Sequence, residues 1–175
     1  MAWFRSSDKR PPEAPAAARN APAATPLRVS DYLAPSAIHL LPTSLSTTQA
    51  FERLVQSLGL ADPTAAVQAV LAREASGATI IAPGLAIPHA RLPGLPRIVA
   101  ALGLCPTGLT AGGQTAPLRV VLLFLSPKEQ MREHLMFLAG LSALFQTEGL
   151  LEALLQLTTA EAVLGAIRAA ESAAP

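Results

Sequence analysis

Three histidines are the residues of this chain best suited to proton or group transfer. One of them sits in an unusual frame, Gly84-Leu85-Ala86-Ile87-Pro88-His89-Ala90-Arg91. Pro88 fixes its own φ and biases Ile87 towards an extended conformation. Gly84 permits backbone geometries that a side chain would forbid, and a Pro93-Gly94 pair follows. Two readings fit this spacing. One is a tight loop between core elements that happens to carry a histidine. The other is a rigid segment presenting an imidazole in fixed orientation, as a nucleophile or proton carrier requires. His134 falls on a helical pattern with Leu138, Leu141 and Phe145, a face largely buried. That is the place of a satisfied core histidine, unless a second ionisable group such as His89 meets it there. His39 lies between Ile38 and Leu40 with nothing suggestive beside it and reads as structural or exposed. Arg73 ends a predicted helix just before Gly77-Ala78-Thr79. It is either a solvated residue favoured by the helix dipole or a ligand for an anion, phosphate being best matched to its planar fork.

The elements that must position these residues follow from periodicity. Residues 28–45 hold short apolar clusters broken by Pro35 and Pro42, which predicts a first short turn or helix and then an edge strand carrying His39. Phe51, Leu54, Val55 and Leu58 recur at helical spacing up to Gly59. Asp62-Pro63 offers an N-cap and a first-turn proline for a second helix with Val67, Val70 and Leu71 inward. Two buried strands are expected at Ile98–Leu104 and Leu118–Leu125, with loop between them. The uninterrupted run Val120-Val121-Leu122-Leu123-Phe124-Leu125 requires cover on both faces. Ser126-Pro127-Lys128-Glu129 has capping-box spacing and predicts a long helix to about Phe145. A short helix at Leu150–Leu155 and a last one opened by Thr158-Thr159-Ala160-Glu161 through Ala170 complete the pattern. This order predicts one α/β domain over residues 27–171, a sheet with helices on its faces.

Composition narrows the functions. The chain of 175 residues is 51% hydrophobic and 14% charged, with a net charge of +1. That is a globular body without general attraction for nucleic acid or anionic membrane. Residues 1–26 contain five prolines and eight alanines and read as an extended tail outside the domain. The single cysteine, Cys105, lies in an apolar run and reads as a buried thiol. No apolar run approaches the ~20 residues that span a bilayer, and no signal-peptide pattern follows the basic residues near the start, so a cytoplasmic setting is expected. Nucleotide-binding glycine loops, the serine-hydrolase elbow and zinc-site spacings are absent from the sequence. No metal or cofactor is expected.

Taken together, Leu71-Ala72-Arg73-Glu74, Gly77-Ala78-Thr79, Gly84-Leu85-Ala86-Ile87-Pro88-His89 and the later Glu133-His134-Leu135-Met136-Phe137-Leu138-Ala139 resemble the signature of type-2 enzyme IIA domains. These belong to the fructose/mannitol and nitrogen-regulatory branch of the bacterial phosphoenolpyruvate-dependent phosphotransferase system. The resemblance runs from about Arg28 to Ala170. It implies a mixed parallel and antiparallel sheet flanked by helices on both faces. It places the phosphoacceptor on His89, a second active-site histidine on His134 and the phosphate-stabilising arginine on Arg73. Thr79, Gly84 and Pro88 belong to the same phosphate-binding loop region, and a protonated or donating His134 would help hold the phosphoryl group. The implied partners are the histidine phosphocarrier protein as donor, and a IIB domain or a regulated transporter or kinase as target. Ala78 and Pro83 depart from the polar residues frequent at those positions, an expected loss of side-chain donors to phosphate. The absence of IIB or IIC sequence favours a regulatory role over a sugar-specific one, with a non-phosphorylated binding module as the third reading.

Overall fold

The computed structural model describes residues 27–77, 79–109 and 117–173. The predicted tail and Ala78 lie outside the described residues. A 3-10 turn at Val29–Tyr32 leads into strand β1 (Leu33–Leu40). Helices α1 (Thr47–Gln56) and α2 (Pro63–Ala75) follow, then strands β2 (Ile80–Ala82), β3 (Leu85–Ala86), β4 (His89–Leu92), β5 (Val99–Leu109) and β6 (Leu118–Pro127). Helices α3 (Met131–Phe145), α4 (Leu150–Leu155) and α5 (Ala160–Ala173) close the chain.

The strands form one mixed sheet in the order β1-β5-β6-β3-β2, with β4 also pairing β6. β1 runs parallel to β5, β5 antiparallel to β6, and both β3 and β4 parallel to β6. The expectation of a mixed sheet covered on both faces holds. β6 shows why. Val120, Leu122 and Phe124 pack with residues of α3, α4 and α5, whereas Val121, Leu123 and Leu125 pack with residues of α1 and α2. With both sides of its pleat buried, the strand has no polar alternation.

Local capping rules place α1 and α2. Ser46 and Gln49 form a reciprocal capping box, and Asp62 accepts from Ala65 N ahead of Pro63 at the first turn. At α3 the rule fails. Ser126 and Pro127 belong to β6, and the helix starts after Gln130 without a side-chain cap. Sheet pairing holds the Ser126 backbone, with Arg91 as its register partner, so the capping spacing is overridden by a tertiary ladder. The last helix also begins one residue later than its box predicts, with Thr159 accepting from Ala162 N. Cys105 is buried, as expected.

The larger correction concerns the histidine segment. It is an interrupted strand alongside β6 rather than a loop, flanked by β2 at Leu85–Ala86 and at the sheet edge from His89. Residues Leu85, Ala86 and His89–Leu92 keep one constant offset against β6, from Leu85↔Val120 to Leu92↔Pro127. Only Ile87 and Pro88 break the assignment, and proline has no N–H to give to a ladder. The Pro88 carbonyl nevertheless accepts from Phe124 N at 3.1 Å, so the chain stays on β6 through the gap.

A Pro83-Gly84 corner joins β2 to β3, with Ala82 paired to Leu85. Proline followed by a glycine at φ 80° is the composition of a type II turn. The Gly84 carbonyl accepts from both Arg119 N and Val120 N, at 2.8 and 2.9 Å, and fixes the start of the histidine segment. Gly84→Ala is expected to destabilise the fold by about 1–2 kcal/mol, the cost of a left-handed backbone for a residue with a Cβ. Chemical denaturation checks this; an unchanged midpoint would remove the strained corner from the account.

Candidate functional site

β4 carries His89 at its first residue, on the open side of β6, where α2 approaches from one face of the sheet and α3 from the other. A cavity of about 310 Å³ opens there, lined by Ala69, Arg73, His89, Ala90, Arg91, Lys128 and His134. Residues from α2, β4, the β6–α3 connection and α3 therefore converge on one point.

Both imidazoles are buried, His89 at 8% and His134 at 7% exposure. Their ring centroids stand 5.3 Å apart, and each lies close to the Phe124 ring, which forms an apolar floor under the pair. His89 is stacked nearly parallel on Phe124, with an interplanar angle of 18°. Its Nδ1 lies 2.8 Å from the Ile87 carbonyl oxygen. A carbonyl can only accept, so Nδ1 carries the hydrogen and Nε2 keeps its lone pair. The Ile87 N–H donates in turn to the Thr79 carbonyl at 2.9 Å. Thus the residue before Pro88 is held at both its polar atoms, and it holds the histidine.

The electrostatics keep this pair neutral. Burial lowers the His89 pKa and the Arg73 charge lowers it further, partly offset by the Ile87 bond and by Glu74. His134 is pushed down to about 4 by burial first, then by His89, Arg91 and Arg73. Of the two forms expected for His134, protonated or donating, the protonated one is disfavoured at neutral pH, and donation must come from a neutral N–H. A cationic neighbourhood with uncharged imidazoles suits an incoming anion and preserves a nucleophilic lone pair.

The remaining predicted residues take distinct places. Arg73 lines the cavity and donates through Nη1 to the Gly77 carbonyl at 2.9 Å, which orients the guanidinium at the end of its own helix. The Thr79 hydroxyl donates to the Glu74 carboxylate, which also accepts from Thr79 N at 3.4 Å. Thr79, Gly84 and Pro88 are not among the cavity-lining residues. They hold the wall behind His89. Pro83 is likewise a turn residue rather than a cavity residue, and Ala78 lies outside the described residues. His39 sits on β1 away from this cavity, partly buried, and among the described residues its Nε2 has no partner.

No sequence motif marks Arg91 or Lys128, and Ser126 is a strand residue rather than the cap its spacing suggests. Arg91 stands two residues from His89, hence on the same side of a strand; reading the segment as a strand would have found it. Lys128 follows because Lys128 N donates to the Leu92 carbonyl at 2.9 Å, continuing the β4–β6 pairing past Pro127. Ser126 Oγ lies 2.7 Å from His134 Nδ1. Among the described residues no cluster of three or more His, Cys, Asp or Glu could hold a metal, and no helix is long and apolar enough to cross a membrane.

A three-layer α/β domain with two facing histidines in a cation-lined edge cavity is the class of protein these features define. The chain belongs to the phosphoenolpyruvate-dependent sugar phosphotransferase system EIIA 2 family, whose model matches residues 31–170. Solved structures agree. The nitrogen regulatory protein IIA-Ntr from Neisseria meningitidis is 25% identical, with a TM-score of 0.70 over 79% of this chain and 98% of its own. IIA mannitol from Escherichia coli is 20% identical, with a TM-score of 0.65 over 77% of this chain and 98% of its own. The Escherichia coli complex of enzyme IIA mannitol with phosphorylated enzyme IIB mannitol is 21% identical, with a TM-score of 0.64 over 78% of this chain and 97% of the matched one. A comparison with curated proteins finds no match.

The depressed pKa values have a consequence for stability. Below the ordinary histidine value near ~6.5, the unfolded chain binds protons that the folded imidazoles refuse. Stability therefore rises with pH through this window and falls as pH drops from about 6.5 towards the His134 value of about 4. The expected loss between pH 7 and 4 from this residue is on the order of 2 kcal/mol. A histidine NMR titration together with denaturation at each pH checks it. A His134 midpoint near the ordinary value would overturn the burial argument.

Proposed function

We propose that this chain is a phosphohistidine carrier that accepts a phosphoryl group on His89 from a phosphohistidine of the histidine phosphocarrier protein. The observation that supports this most is the His89 geometry. Its Nδ1–H is committed to the Ile87 carbonyl, and its Nε2 lone pair is left at a cavity lined by Arg73, Arg91, Lys128 and His134. In the transfer, Nε2 attacks phosphorus as the donor's P–N bond breaks, and the bonding pair returns to the donor imidazole. Nδ1 keeps its proton throughout, so no base is needed. The Ile87 carbonyl stabilises the ring as it becomes more positive. The developing charge on the phosphoryl oxygens falls among the cavity cations, so the work is positioning and electrostatics.

The role we favour is regulatory, of the nitrogen-related kind and in a cytoplasmic setting, with phosphorylation at His89 altering association with a transporter or kinase. Support comes from the likeness, at 25% identity, to a nitrogen regulatory IIA protein. The second reading is a sugar-uptake component that passes its phosphoryl group to a IIB partner, the pairing seen in the Escherichia coli mannitol complex. A binding module that never becomes phosphorylated is the remaining alternative, and one experiment separates it from both.

Incubation with phosphoenolpyruvate, enzyme I and the phosphocarrier protein is expected to add a single acid-labile phosphate, read by intact mass. His89→Ala is expected to add none. An unmodified wild type beside a visibly charged phosphocarrier would reject the carrier reading. His134→Ala is expected to slow transfer on the order of a hundredfold, as when one preorganised donor is removed; rates equal to wild type would return His134 to the core. A IIB protein that drains the label to a sugar would favour the relay over regulation.

A further inference from the structure

Ser126 is an anomaly. Its hydroxyl is fully enclosed, at 0% exposure, on a strand that is otherwise apolar from Val120 to Leu125. A hydroxyl so placed must give its hydrogen to something, because a buried O–H without a partner is costly. Among the described residues its one side-chain partner is His134 Nδ1, 2.7 Å away.

That single contact decides a protonation state. If His134 Nδ1 carried the ring hydrogen, Ser126 Oγ would accept it, and the serine's own hydrogen would be left buried and unpaired. With the hydrogen on Nε2, Ser126 donates to the Nδ1 lone pair and both groups are satisfied. Nε2–H is then the one polar group that His134 has left to present to the cavity it lines. The two histidines are therefore set in opposite tautomers by two different acceptor–donor arrangements. The Ile87 carbonyl accepts from His89 Nδ1–H and frees Nε2 as a lone pair. The Ser126 hydroxyl donates to His134 Nδ1 and makes Nε2 a donor. One ring can attack phosphorus while the other offers a hydrogen bond to a phosphoryl oxygen.

We propose that Ser126 is a positioning residue that locks His134 as the Nε2–H tautomer, so that the second histidine serves phosphoryl transfer as a neutral hydrogen-bond donor. Ser126 itself touches neither the phosphoryl group nor the incoming partner. It acts through His134. The kinetic part of this inference rests on His89 being the acceptor; the tautomer part does not.

The test has two measurements. The first is the ring nitrogen spectrum of His134 in the unphosphorylated wild type and in Ser126→Ala, at neutral pH. The expected result in wild type is a pyrrole-type, protonated Nε2 and a hydrogen-bonded, pyridine-type Nδ1, with the Nδ1 signal moving to its unbonded position in Ser126→Ala. A hydrogen found on Nδ1 in wild type, or an Nδ1 signal indifferent to the substitution, would overturn the proposal. This arm needs no phosphoryl donor and stands even if the carrier reading fails. The second is the rate of phosphate uptake from the charged phosphocarrier, with thermal midpoints measured alongside. Ser126→Ala is expected to stay folded and to react about tenfold more slowly, the loss of one well-aligned hydrogen bond at the transition state. Wild-type rates in a variant with an altered Nδ1 signal would show that the tautomer is immaterial to transfer and reject the role assigned to Ser126.

Discussion

Pro88 has no backbone N–H to give, and the site is arranged around that fact. Along β6 the segment from Leu85 to Leu92 keeps its register, but at Ile87-Pro88 the ladder is interrupted. The Pro88 carbonyl remains on the β6 side, accepting from Phe124 N, so the polar atoms of Ile87 face the other way. There they meet Thr79 and the His89 ring. An uninterrupted strand at a sheet edge would expose such groups to solvent or to another strand. Here they become the two fixed points that hold an imidazole.

The surrounding layers convert that orientation into a chemical environment. Phe124, packed with Phe137 in the core, gives both rings a flat apolar support. Apolar support lowers the pKa of an imidazole because it disfavours the charged form, and the cavity cations act in the same direction. Burial and cationic lining would oppose each other for a carboxylate. For an imidazole they cooperate, which leaves neutral rings beside a positive cavity. The arrangement can receive an anion without first releasing a proton. Glu74 stands as the exception among these charges, and its carboxylate is occupied by the Thr79 hydroxyl and amide.

His89, His134 and Arg73 are the residues that the family motifs single out along the chain, and one cavity brings the three together. Periodicity is a reliable guide where a segment's environment is uniform. α2 lies between its Asp62 cap and Gly77, α4 spans Leu150–Leu155, and the doubly buried β6 has no polar alternation. It is a poor guide where a polar residue sits among tertiary partners. Ser126 followed by Pro127 and Glu129 has the local features of a helix start, and local rules cannot register that β4 already claims this stretch as a strand. For the same reason no local pattern marks Arg91 and Lys128, since their convergence depends on strand pairing between residues far apart in the chain.

By itself, the amino-acid sequence determined which elements form and which chemical groups are on hand: a proline before a histidine, glycines at corners, apolar strands needing two covers, and a second histidine on a helix. These are consequences of backbone sterics and of burial, both legible over a few neighbouring residues. Tertiary structure alone decided the proton positions. Which nitrogen of each imidazole is free depends on a carbonyl two residues away on a broken strand and on a hydroxyl from a different element. Those directions come from packing in three dimensions, and a linear pattern does not contain them.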